Sequence, residues 1–180
     1  MTQSGTYDQP TAGENNQEVT EEEVFVFPVS FAQQRLWFLD QFEPGSPFYN
    51  IPSAVRLTGK LDVVALERTL NEIVRRHESL RTTFATINGD PVQVISPSLT
   101  LPLPVIDLRD LPQAEREAEA LRLATGEAMR PFNLTQGPLL RGTLLRLDEE
   151  EHIVLLTMHH IISDGWSMGV FIGELTTIYE

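Results

Sequence analysis

Two adjacent histidines, His159 and His160, close the apolar run "HIVLLTM", and Asp164 and Gly165 follow a short turn later in "HHIISDG". An imidazole titrates near neutral pH, so one facing an opening suits general base catalysis. Side chains alternate along a strand, so the two rings should point opposite ways, one into packing and one toward an opening. That geometry argues against a zinc site made by the pair, since one ion would need both nitrogens and further ligands. The carboxylate of Asp164 becomes available at the strand exit, and Gly165 permits a sharp bend and close backbone approach. The competing reading is a packed histidine pair with Asp164 capping the last helix. Ser163 and Ser167 lie close by, Ser167 within Gly165-Trp166-Ser167-Met168-Gly169, so a serine hydrolase is the obvious competitor.

These residues need a scaffold. Ser30 caps an expected helix over "SFAQQRLWFLDQF", ending at the turn-forming "EPGSP". "AVRL" (54–57) reads as a strand. Asp62 caps a helix that carries Leu66, Leu70, Ile73, Val74 and His77 at helical spacing. Asn88-Gly89 joins "TTFATI" to "PVQVI" as a hairpin, because both turn residues tolerate positive φ. A third helix spans 112–130, and "LLRGTLLRL" and "HIVLLTM" flank the acidic turn "DEEE" as a second hairpin. A last helix runs over 167–179. The layout is α/β (α+β), with helices packed on a mainly antiparallel or mixed sheet.

Composition narrows the function classes. The 180 residues suffice for one domain, and the chain has no cysteine, which excludes disulfides and thiolate metal sites. Thirteen basic residues face 26 acidic ones, for a net charge of -13, and Lys60 is the sole lysine. Such a surface suits neither nucleic acid nor an anionic membrane. No membrane-length apolar stretch and no signal pattern appear, so a cytoplasmic location is expected. Residues 1–23 hold no Lys or Arg and read as a disordered acidic tail, with a docking peptide as the alternative. Order is expected over 24–180.

The motifs resemble a known family. "HHIISDG" is similar to the His-His-x-x-x-Asp-Gly signature of condensation domains of nonribosomal peptide synthetases, in the chloramphenicol acetyltransferase-like superfamily. "SFAQQRLWFLDQF" resembles that family's opening motif, "RHESLRTTF" (76–84) resembles its second, and all three stand in the family's order. The resemblance implies a chloramphenicol acetyltransferase-like fold and formation of an amide (peptide) bond. A donor acyl or peptidyl thioester is attacked by the amino group of an acceptor aminoacyl thioester. It implies His160 as the catalytic residue, with His159, Asp164, Gly165 and Arg81 supporting, Asp164 forming a buried pair with Arg81. Both substrates ride on the phosphopantetheine of donor and acceptor carrier proteins. No metal and no directly bound cofactor are implied. Gln33, Arg35 and His77 line or brace the site in this reading.

The retained histidines disfavour a heterocyclisation subtype, and the opening motif disfavours epimerisation. The absence of histidine before His77 disfavours a dual epimerisation–condensation domain. If Met1 is the start, the donor arrives on a separate polypeptide or as a starter acyl group. The resemblance covers the first half of the family's domain and stops at "LTTIYE", so the expectation is the N-terminal half of a condensation domain, a fragment of weak isolated activity. A noncatalytic carrier-docking module and a coenzyme A-dependent small-molecule acyltransferase are the alternatives.

Overall fold

The computed structural model describes residues 24–179; the expected acidic tail, residues 1–23, lies outside them, as does Glu180. The elements run β1 (Phe25–Pro28), α1 (Phe31–Phe42), β2 (Asn50–Thr58), α2 (Val63–Arg76), a single 3-10 turn (Glu78–Arg81), β3 (Thr82–Ile87) and β4 (Asp90–Ile95). They continue with β5 (Val105–Asp107), α3 (Gln113–Ala128), β6 (Leu140–Asp148), β7 (Glu151–His159) and α4 (Gly165–Tyr179).

Local chemistry explains several boundaries. The Ser30 hydroxyl accepts from the Gln33 backbone while the Gln33 side chain accepts from Ser30 N–H, a reciprocal capping box at the start of α1. Asp62 accepts from Ala65 N–H at 2.9 Å and starts α2. Asn88 and Gly89 both take positive φ, 55° and 91°, the backbone that a two-residue hairpin turn needs.

The strands separate into two sheets. One has the order β1-β4-β3, all antiparallel; the other has the order β2-β7-β6-β5, with β5 parallel to β6. Neither β1 nor β5 is among the expected strands, and "AVRL" proves to be the middle of a nine-residue strand. The mixed α/β layering expected from the sequence is present, divided between two sheets.

Strand β7 sits inside its sheet and is covered on both faces. Val154, Leu156 and Met158 join the main core with Leu70, Ile73 and Phe84. Leu155 packs instead with Ala120 and Leu145 in a second cluster under α3. Parity then carries His159 to the α3 side of the sheet.

Candidate active site

The backbone of the histidine pair is pinned from two sides. His159 N–H donates to Leu139 O at 2.9 Å, and His160 N–H donates to Tyr49 O at 2.8 Å. Because Asn50 registers opposite His159, the start of β2 reaches the end of β7. The two imidazoles then part company.

His159 is buried, with 3% of its surface exposed. It stands edge-on to Tyr49 and to Phe132, with ring centroids 6.3 and 6.1 Å away, and its Nδ1 accepts from Ile161 N–H at 3.1 Å. Burial, with a smaller contribution from His160, pushes its pKa down to about 4, so the ring is neutral at physiological pH. Arg141 stacks on the other ring of this group, its guanidinium carbon 3.7 Å from the Phe132 centroid.

His160 is exposed and lines an open cavity of about 630 Å³. Its Nδ1 lies 2.7 Å from Ser163 O. A carbonyl only accepts, so Nδ1 carries the proton in that contact, and neutral His160 keeps its free lone pair on Nε2. From α1, Ser30, Gln33, Arg35 and Leu36 line the same cavity; Tyr49 and Asp164 also contribute. The first sequence motif and the histidine motif therefore meet across one space.

Neither serine completes a nucleophilic dyad. Ser163 Oγ donates to His159 O at 3.4 Å, and Ser167 Oγ donates to Asp164 Oδ1 at 2.7 Å. Among the described residues no three His, Asp or Glu side chains gather as a metal site requires.

The expected pair between Asp164 and Arg81 is not formed. Asp164 is exposed, and Oδ1 accepts from the Ser167 backbone at 2.8 Å as well as from its hydroxyl, so the residue caps α4. The Ser167 hydroxyl and then its N–H hold the Asp164 pKa below its ordinary value. Arg81 points elsewhere: it donates to Val74 O at 3.3 Å, Pro97 O at 3.2 Å, Arg75 O at 3.4 Å and, more closely, Ser96 O. Those carbonyls include the negative end of α2, which attracts a guanidinium strongly enough to hold it there.

The steric reason expected for Gly165 is absent as well. It is the first residue of α4, its φ is not positive, and a Cβ there would meet no atom within 4 Å. The cap also explains why α4 begins two residues before the expected 167.

His77 lies outside the cavity. Its Nε2 is 2.8 Å from Glu174 Oε2, a side-chain tie between the end of α2 and α4. Two contributors to the site escape sequence reasoning. Ser163 acts through its carbonyl, which no side-chain pattern announces, and Tyr49 reaches the pair only through strand pairing across the chain. The fourth histidine of the chain, His152, is buried on β7, where burial and then Arg146 push its pKa down.

Comparison with known proteins agrees with this geometry. The chain is 61% identical over 153 residues to a subunit of the linear gramicidin synthase of Brevibacillus parabrevis, covering 85% of this chain and 2% of that protein. It is 48% identical over 151 residues to phosphinothricin tripeptide synthetase PhsC of Streptomyces viridochromogenes, covering 84% of this chain and 14% of that one. The chain thus spans only a small part of the length of these relatives. Among solved structures, the starter condensation domain of rhizomide synthetase RzmA matches with a TM-score of 0.80 at 27% identity, over 86% of this chain and 37% of that one. The first condensation domain of the CDA synthetase matches with a TM-score of 0.78 at 27% identity, over 86% and 40%. These likenesses bear out the α/β, chloramphenicol acetyltransferase-like half-domain fold. The Condensation domain family model matches residues 25–180, and the chain belongs to the condensation-domain family.

Proposed function

We propose that this chain is the N-terminal half of a condensation domain that forms amide bonds in cytoplasmic nonribosomal peptide synthesis. The observation that carries the reading is His160: exposed on the cavity, with Nδ1 committed to Ser163 O and Nε2 free to take a proton. The acceptor's amino nitrogen attacks the donor's thioester carbonyl, and a C–N bond forms as Nε2 of His160 takes the amine's proton. The tetrahedral centre collapses with cleavage of the C–S bond. The departing thiolate then recovers the proton from His160, which restores the neutral imidazole and leaves an amide and a thiol.

His159 serves as a packing residue in this mechanism, since its buried neutral ring bonds the turn rather than the cavity. Asp164 shapes the turn by starting α4. Donor and acceptor arrive on phosphopantetheine arms of carrier proteins. The second half of the domain is the partner that closes the cavity. Exposed aromatic residues support that last point: Phe31, Phe38 and Phe42 are 93%, 65% and 80% exposed along α1, and Trp166 on α4 is 83% exposed.

The test uses loaded donor and acceptor carrier proteins with the chain in a complete condensation domain, and detects the amide by mass spectrometry. His160→Ala should abolish product while leaving the melting temperature unchanged. Full turnover by that variant would refute the reading.

A further inference from the structure

One cation on the cavity wall has no role in the chemistry above. Arg35 lies on α1, is exposed, and lines the cavity that His160 lines. In the described structure most guanidinium groups are committed: Arg56, Arg75, Arg109, Arg116, Arg122 and Arg141 each pair with a carboxylate. No described carboxylate pairs with Arg35, although the chain carries 26 acidic residues. Asp164, which lines the same cavity, pairs through Oδ1 with Ser167 rather than with Arg35.

A free arginine on the wall of the cavity that holds the base, in an acidic protein, marks a place where negative charge is received. The carrier-borne substrates of the proposed reaction have neutral thioesters and amides. The single formal charge on a phosphopantetheine arm is its phosphate. A chain of net charge -13 repels that group, so its entry calls for a local cation. A guanidinium is suited to the task, because its planar fork donates two parallel bonds to phosphate oxygens where a lysine offers a point charge.

We propose that Arg35 is the phosphate anchor of the cavity: it binds the phosphate of a phosphopantetheine arm and so positions the thioester toward His160. The proposal rests on the function proposed above and adds a recognition residue to it. Arg35 is a positioning residue here, since it touches the handle of the substrate and not the reacting carbonyl.

The test compares two soluble probes that differ only in the phosphate, 4′-phosphopantetheine and pantetheine, the monoester standing for the diester of a loaded carrier. Each is titrated into the full chain while the His160 ring resonances are followed by NMR. The unaltered chain should bind phosphopantetheine about tenfold more tightly than pantetheine, the scale of one charge-assisted forked contact. In Arg35→Gln the two probes should bind alike, and Arg35→Lys should keep only part of the preference. Arg35 is exposed, so thermal melts should show both variants folded. A phosphate preference that survives in Arg35→Gln overturns the proposal, and so does an unaltered chain that shows no preference. Failure of the parent reading is seen separately. If thioesters on N-acetylcysteamine, which has no phosphate, are condensed equally well with and without His160, the catalytic assignment falls while the phosphate preference stands.

Discussion

Lowering the pH should weaken this fold in part through the ring of His159. Buried between Tyr49 and Phe132, it has a folded pKa of about 4 against a reference of 6.5. The unfolded chain therefore binds a proton between those values that the folded chain refuses. Above pH 6.5 both states are neutral and the ring makes no pH-dependent contribution. As pH falls from 6.5 toward 4 the unfolded state gains protons first, and stability declines; below 4 both states are charged and the loss levels off. At about 1.4 kcal/mol per pH unit, the full interval corresponds to about 3 kcal/mol. The assay is urea unfolding at a series of pH values from 7.5 to 3.5, for the native chain and for His159→Gln. Glutamine keeps an acceptor for Ile161 N–H and does not titrate. Carboxylates and His152 contribute equally to both proteins, so the difference between the two curves isolates His159. That difference should shift by about 3 kcal/mol across the window, with the native chain losing ground. A difference that stays flat with pH would refute the assignment of His159 as a buried neutral ring.

Further outcomes follow from the same geometry. Asp164→Ala should lower the melting temperature only slightly, as loss of an exposed cap does, whereas Arg81→Met should cost about 2 kcal/mol because several carbonyls near the end of α2 lose their donor; thermal melts rank the two. Gly165→Ala should be neutral or mildly stabilising, because nothing lies within 4 Å of the added carbon and alanine favours helix over glycine. Gly137→Ala should instead destabilise by about 1–2 kcal/mol, since φ is +55° and the new Cβ would sit 2.7 Å from Thr83 Cγ2; denaturant midpoints compare the two glycines. The isolated chain should self-associate with rising concentration through Phe31, Phe38 and Phe42, and sedimentation of the chain with these residues changed to Ser should return it to monomer.

Whatever depends on a few neighbouring residues was readable in advance. The Asn88-Gly89 turn, the Ser30 and Asp62 caps and the apolar run of β7 all state their structure locally. What escaped depends on distant partners. β1 and β5 are short and become strands only because β4 and β6 accept them. The family resemblance pairs Arg81 with Asp164 and says nothing of carbonyls at the end of α2, which proved the nearer acceptors. The tautomer of His160 is set by the carbonyl of Ser163, a group every residue owns.

The sheet order also governs when the site can exist. β7 is the last strand among the described residues, yet it lies between β2 and β6, and Asn50 finds its partner His159 more than a hundred residues later. During synthesis from the N-terminus, β2 must wait, unpaired along this edge, until β7 has emerged. The β3–β4 hairpin closes over two residues and can form long before. Pairing across such a separation carries a large loop-closure cost and slows folding. The cavity wall that holds His160 is therefore among the last parts of this chain to be assembled, and a ribosome pause before residue 151 would leave a nascent chain with a folded hairpin and no site.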